Sequence, residues 1–254
     1  MTHPATAVLE YHLAGYRRVW RSTVASSLAM PVLFFLGMGL AVGAYVDRGG
    51  ALPVPYLDYI APGLIAFAGL QIAVGEGGFP VLTNFKWQKI YDSMAAAPLR
   101  IADMVLGRLG YIAIRVMVAA VAFLVVMLAF GAVGSVLAVT TPFVAALVGV
   151  ATAAPMFAFA ASVNSANLMA VITRVGLLPM MLFSGVFFPV EQLPALVRPV
   201  AYALPLWSGV ELCRATTLAI PAAWPVVLHG ALLVAWLVVG FWLACVRFRK
   251  RLGT

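Results

Sequence analysis

The sequence predicts an all-α, polytopic membrane protein with six transmembrane helices, and three observations predict it. The first is composition. Hydrophobic residues make up 64% of the 254 positions and charged residues 9%, with a mean hydropathy of +1.06. A soluble domain carries about 25% charged residues, and one of this length cannot hide so much apolar surface beneath a hydrated shell. The second is the recurrence of six apolar runs long enough for the ~20 helical residues that cross ~30 Å of hydrocarbon, without the alternation of an outer-membrane barrel. The third is the placement of the basic residues, which fits an even number of crossings. Together they exclude a soluble enzyme, a disordered chain and a disulfide-stapled secreted domain.

The N-terminal stretch precedes the first span. Leu9, Leu13, Tyr16 and Trp20 follow helical spacing and form one narrow apolar stripe, while Glu10, Arg17, Arg18 and Arg21 fall on another face. This predicts an N-terminal helix lying in the inner interface, with its arginines at the lipid headgroups. The alternative is an inward extension of the first span. That span is placed at Val24–Val46. A polar, arginine-bearing segment leads into an apolar run too long for a cleaved signal, so the span is expected to be retained as an anchor. Its Gly37 and the Gly39-x-x-x-Gly43 pair mark a face that admits a close backbone.

The second span is placed at Tyr59–Phe79 and contains Glu76. A charged group at mid-bilayer costs roughly 2.5–3.5 kcal/mol on insertion scales. Glu76 therefore faces a cavity, an interface or a substrate path, or else it reaches water at the inner end of the span or is protonated. The loop that follows places Trp87, Ile90, Tyr91 and Met94 at i, i+3, i+4 and i+7, with Lys86, Lys89 and Asp92 facing away and Pro98 ending the helix. An amphipathic cytoplasmic helix of this kind lies on lipid or presses into a partner's groove. The third span, Met104–Phe130, carries Arg115 two to three turns inside; that side chain snorkels inward or pairs with Glu76.

Leu137–Ser162, Leu168–Phe188 and Val226–Val246 complete the six. Pro31, Pro62, Pro155 and Pro179 each remove a helix hydrogen bond and are kink sites. The connection before the last span is rich in proline yet mostly apolar. It predicts two short helices, Glu191–Tyr202 and Leu206–Leu218 with Pro205 opening the second, at the outer interface or dipping part way in.

With the N-terminus in the cytoplasm, twelve basic residues lie inside, Arg108 and Arg251 among them. Only Arg48, Arg198 and Arg214 lie outside, and Arg115 falls within a span. Both termini are then cytoplasmic, and residues 1–254 form one membrane domain. Cys213 and Cys245 sit at opposite ends of the bilayer, so no intrachain disulfide is expected. The sequence contains no G-x-x-x-x-G-K-[ST] phosphate loop and no G-x-S-x-G elbow. Its histidines, His3, His12 and His229, are scattered, so no metal site is expected. Nothing argues for nucleic-acid binding.

The run from Leu178 to Leu218 resembles a signature of the ABC transporter type-2 permeases, in the branch of the daunorubicin-resistance and nodulation-factor (lipo-oligosaccharide) export permeases. The resemblance lies in Ser184, Gly185, Phe187, Phe188 and Pro189, then Leu193 and Pro194, then Leu204, Pro205 and Leu206 with Glu211 and Arg214. The YLDYIAPGL and WQKIYDSMAAAPL stretches and the Leu106–Arg108 triplet extend it along the chain.

The resemblance implies a permease in a bacterial cytoplasmic membrane that pairs with a second permease, the same chain or a related one. Two separate ATPase subunits would hold ATP and Mg²⁺, with no catalytic or nucleotide-binding residue in this chain. It gives Trp87, Ile90, Tyr91 and Met94 the role of a coupling helix seated in the ATPase groove. It makes the outer loop a pair of half-embedded helices capping the exit. It places Gly39, Gly43, Gln71 and Glu76 on the substrate path or the permease interface, in contact with an amphipathic substrate such as a drug, lipid or lipid-linked glycan. Two other classes compete: an ATP-independent channel or secondary transporter using Glu76 as its proton or ion group, and a membrane-embedded enzyme or assembly factor.

Overall fold

The computed structural model describes residues 3–50, 52 and 54–253. Among them there is no strand. The chain runs through α1 (Pro4–Leu36), a π-helical stretch (Gly37–Val42), α2 (Gly43–Gly49), α3 (Tyr56–Gly77), α4 (Phe79–Lys86) and α5 (Ile90–Ala95). It continues through α6 (Ile101–Ala129), a 3₁₀ turn (Val136–Thr140), α7 (Thr141–Ser162) and α8 (Ala166–Phe183). A second 3₁₀ turn (Val190–Gln192), α9 (Arg198–Ala203), α10 (Pro205–Leu218) and α11 (Val226–Leu252) complete it. Six stretches are long and apolar enough to cross a membrane: Pro4–Gly39, Tyr56–Lys86, Ile101–Ala129, Val136–Ser162, Ala166–Phe183 and Val226–Leu252. They match the six expected spans.

The bundle is built around α7, which packs against α3, α6, α10 and α11. Its inward residues are small: Ala145, Ala151, Ala153, Ala154 and Ala160 are fully buried. Lipid is as apolar as a leucine side chain, so helices in a bilayer gain most by bringing backbones close. Glycine supplies the approach on the facing helices. A Cβ on Gly240 of α11 would stand 2.6 Å from the Pro155 nitrogen of α7, and one on Gly69 of α3 would stand 2.8 Å from the Ala145 carbonyl oxygen. Pro31, Pro62, Pro155 and Pro179 all lie inside helices that continue past them.

Three expectations are corrected. The N-terminal stretch is not a separate interfacial helix; α1 is unbroken from Pro4 to Leu36. Its Leu9, Leu13 and Tyr16 stripe packs on the core, and Val8 is buried where Gly107 of α6 leaves room. The small residues of α6 let α1 come close, so this part of the stripe meets protein, while Trp20, its last member, is exposed. Second, the second span does not stop at Phe79. It breaks at Gly78, which has φ −90° and ψ −99°, and resumes as α4 to Lys86. Third, the loop from Phe85 to Arg100 is not one amphipathic helix. Residues 87–89 form a turn with Lys89 in the left-handed region (φ 50°), and α5 has only six residues.

The outer connection follows expectation more closely. Pro205 opens α10, which is buried against α3 and α7, while the earlier segment divides into a 3₁₀ turn and α9.

The α7–α11 contact gives a direct test. Gly240→Ala is expected to destabilise the detergent-solubilised protein by about 1–3 kcal/mol through overpacking against backbone. Gly230→Ala, on the same helix with nothing within 4 Å of the new Cβ, is expected to leave the thermal unfolding midpoint unchanged. Equal midpoints for the two variants would contradict the packing described.

Candidate functional site

Three constellations stand out, two at the end of the bundle expected to face the cytoplasm, called inner, and one at the opposite end, called outer. The first begins with a proline. Pro80 has no N–H, so the carbonyl of Glu76, four residues earlier, loses its helical donor. Arg108 of α6 supplies the missing bond: its Nη2 donates to the Glu76 carbonyl oxygen at 2.9 Å. The same Nη2 lies 3.6 Å from Glu76 Oε2, and Arg115 pairs with Glu76 Oε1.

The sequence offered pairing with Arg115 as one of two outlets, and the structure takes it. Arg108 was read as an inner-side topology charge and as the end of the Leu106–Arg108 triplet; it is 3% exposed and belongs to the cluster. Its partnership depends on a distance across two helices, which spacing along the chain does not reveal.

Glu76 lines two cavities. The larger, about 470 Å³, is open and is walled by α1, the α3–α4 break and α6, with Tyr11, His12, Arg18, Asn84, Gln88 and Arg108 among its lining residues. The smaller, about 160 Å³, lies further along α1 and is lined by Ser26, Ser27, Gln71, Ile72, Gly75, Glu76 and Arg115. Gln71 and Glu76, both expected on a substrate path, therefore share a cavity. Gly39 and Gly43 are not beside them. Both are buried under α3, facing Leu57 and Tyr56 respectively. The close approach that their spacing predicts is made within the chain.

The second constellation is the inner loop. Tyr91 is 1% exposed and packs against Phe85 (ring centroids 4.5 Å apart) and Phe248 of α11 (5.0 Å). Burial pushes its phenol up from the ordinary range. Ile90 and Met94 are half-buried, whereas Trp87, Lys86, Gln88 and Lys89 are exposed. Trp87, Ile90, Tyr91 and Met94 thus do not share one outward face. Trp87 stands on the exposed tip and Tyr91 anchors the loop from within. Arg251 of α11 closes the same region: its Nη1 donates to the carbonyl oxygens of Ala160, Ala161 and Val163 at 3.1, 3.0 and 3.0 Å, where α7 runs out of helical donors.

The third constellation is at the outer end. Arg214 of α10 donates from Nη1 to Glu211 Oε1 at 2.7 Å and from Nη2 to the Gly185 carbonyl oxygen at 2.9 Å. Its guanidinium lies 3.9 Å from the centre of the Tyr59 ring. Glu211 Oε2 accepts from the Ala223 N–H at 2.9 Å. Gly185 has φ +79° and Ser184 caps α8. Phe187 packs on Phe34 of α1 (5.7 Å), Phe188 contacts both apolar clusters, and Pro189 leads into the second 3₁₀ turn. Leu193 joins the smaller apolar cluster around Trp207, and the Pro194 carbonyl accepts from Val197 N–H. Of the outer-loop motif, Gly185, Glu211 and Arg214 meet in one network; the others set its turns and packing.

A family model described as ABC-2 type transporter matches residues 5–218. The chain belongs to the ABC-2 type transporter family. It is similar to proteins named Nodulation protein J from several rhizobia. The one from Rhizobium leguminosarum bv. trifolii is 27% identical over 246 residues, covering 97% of this chain and 93% of that protein. Those of Neorhizobium galegae and Rhizobium meliloti (strain 1021) are 25% and 26% identical, with the same two coverages. As an ABC-2 permease with six apolar helices, the chain is a multi-pass membrane protein, and the constellations above lie in a membrane subunit.

Arg214→Met is expected to cost about 1–3 kcal/mol, because it leaves the Gly185 carbonyl without its donor and removes the partner of the partly buried Glu211 carboxylate. Adding Glu211→Gln is expected to recover part of that loss in thermal unfolding of the double variant; no recovery would show that the pair is not coupled. Cys213, beside them on α10, is fully buried and its thiol is pushed up to about 12. In a Cys245→Ser background, N-ethylmaleimide at neutral pH is expected to label it only after denaturation, as read by intact mass.

Proposed function

We propose that this chain is the permease subunit of an ATP-driven exporter in a bacterial cytoplasmic membrane. It moves an amphipathic substrate outward, a drug, a lipid or a lipid-linked glycan, powered by separate ATPase subunits that hold ATP and Mg²⁺. One permease domain occupies residues 1–254 with both termini in the cytoplasm, an orientation supported by the excess of arginine and lysine on that side. The observation that carries the reading is the ABC-2 match over residues 5–218, which takes in five spans and α10.

A second permease, a copy or a relative, is expected along α1 and α8. Apart from a hollow at Met30 and Leu33, these two spans leave Val19, Trp20, Val171, Val175 and Leu178 exposed. Both Glu76 oxygens are engaged by arginines, so nothing favours its use as the proton group of an ATP-independent carrier.

The loop geometry supports a division of labour in coupling. The exposed tip at Lys86–Lys89 meets the ATPase, with Trp87 as its apolar contact. The buried side, Phe85–Tyr91–Phe248, carries the displacement into α11, and α11 packs along α7. When the ATPase dimer closes on ATP, the tip moves and the α7–α11 pair follows.

Two variants separate these roles in affinity purification of tagged chain from native membranes. Trp87→Ala with Ile90→Ala is expected to reduce ATPase recovery roughly tenfold, the scale of a lost aromatic anchor. Phe248→Ala is expected to keep the ATPase bound but lower substrate exported per ATP hydrolysed. Undiminished recovery with the first variant would overturn the assignment of the tip.

A further inference from the structure

The larger inner cavity has a charge imbalance that its own chain does not settle. Arg18 stands at its mouth, Arg108 forms its wall, and Arg115 lies just beyond in the adjoining cavity. The only carboxylate lining either cavity is that of Glu76, which Arg108 and Arg115 already share. Polar atoms around the larger cavity are also left over. Of the side chains that line it, His12 Nε2 and Arg108 Nε are buried without a hydrogen-bond partner. Arg108 carries five N–H donors, and Glu76 engages only its Nη2, so an arginine in the wall of an open cavity points to a ligand that accepts from it. Its size falls within the ~300–1,000 Å³ of small-ligand sites.

The surroundings also define the shape of that ligand. Glu76 is shared with the smaller cavity, so the polar site continues along α1 past Ser26 and Ser27. The next turns of the same helix line an apolar hollow of about 290 Å³ with Met30, Leu33, Phe34, Gly37 and Met38. These positions recur at three- and four-residue spacing and form one stripe that runs from α1 into the π-helical stretch continuing it. A cationic hollow at the inner end is thus followed by a small polar one and then by an apolar one, along a single helix.

We propose that the cavity between α1, the α3–α4 break and α6 binds the anionic headgroup of an amphipathic molecule whose hydrocarbon chain lies along α1. The proposal rests on the export reading above and names the substrate class that this permease accepts from the inner leaflet. Arg108 and Arg18 hold the anion by charge-assisted hydrogen bonds. Glu76 competes with the ligand for Arg108 and sets how tightly the anion is held.

Native mass spectrometry of the full chain in neutral detergent tests this directly. Dioctanoyl phosphatidic acid is the anionic amphiphile, dioctanoyl phosphatidylcholine the zwitterionic control and inorganic phosphate the control without a tail. One saturable phosphatidic acid is expected, held about tenfold tighter than phosphatidylcholine, the scale of one charge-assisted contact. Inorganic phosphate is expected to displace it only at much higher concentration.

Arg18→Gln and Arg108→Gln are expected to weaken phosphatidic acid severalfold. Glu76→Gln is expected to tighten it, a gain that a purely structural cluster would not give and that a misfolded variant cannot mimic. Equal binding of the two lipids, phosphate binding as tight as the lipid, or no gain with Glu76→Gln would each overturn the proposal. The measurement uses the permease without its ATPase. Its failure leaves the export reading intact, and loss of the ATPase reading leaves the measured site intact.

Discussion

The constraint on which this structure depends is that hydrocarbon supplies no hydrogen bonds. Each backbone carbonyl left over at a helix break inside the bundle needs a donor from protein. Arginine side chains provide them at three such places. Arg108 fills the carbonyl that Pro80 orphans at Glu76, Arg214 fills that of Gly185 after α8, and Arg251 fills three at the end of α7. An arginine suits the task because it stays charged, carries several donors in a fixed fork and reaches across a helix diameter. Satisfying a carbonyl leaves other donors on the same guanidinium. That surplus is what recruits Glu76 at one end and Glu211 at the other.

The function-bearing features follow from where the chain breaks. The Gly78–Pro80 break lets the second span bend into α4, and its unpaired carbonyl draws Arg108 off the surface and creates the charged cavity. The end of α7 draws Arg251, which brings the last turn of α11 over Phe85 (4.7 Å to the ring centre) and locks the inner loop in place. In each case a local loss of helix hydrogen bonding is converted into a tertiary fastening. The fastened points are those at which a displacement entering from the loop would be passed on.

What the sequence made legible was whatever depends on local composition. Six apolar runs, Pro205 opening α10 and the small residues of the first span were all readable, because length, proline chemistry and glycine spacing act within a few residues. The charges were less readable. Arg108, Arg214 and Arg251 were counted as markers of sidedness, a statistical property of loops, with Arg214 and Arg108 also in family-like motifs, but their donors are used on backbone carbonyls 32, 29 and 88–91 residues away in sequence. The periodicity of Trp87, Ile90, Tyr91 and Met94 misled for a different reason. Lys89 adopts a left-handed backbone that resets the helical phase, and an i, i+3, i+4, i+7 pattern presumes an unbroken phase. The N-terminal stripe was amphipathic as read, but amphipathicity does not say whether the apolar side meets lipid or Gly107 and Gly110 of α6.

The same fastening logic explains how α8 behaves. Of its residues only Met169 and Met181 are buried, so little side-chain packing fixes its middle. Its ends are another matter. At the inner end Lys86 Nζ donates to the Asn164 carbonyl oxygen and Arg251 Nη2 to Asn164 Oδ1, both at 3.0 Å. At the outer end Arg214 holds Gly185. A helix pinned at both ends and little packed within its own chain between them is a strut, and its open face is the one on which the second permease is proposed to lie. Lys86 closes α4 and begins the exposed loop tip, so the residue that would feel the ATPase also holds the inner pin. Arg214, at the outer pin, lies on α10, which is buried against α3 and α7. In the proposed coupling, a push at the loop would have two routes across the bundle, through the packed α7–α11 pair and through the strut.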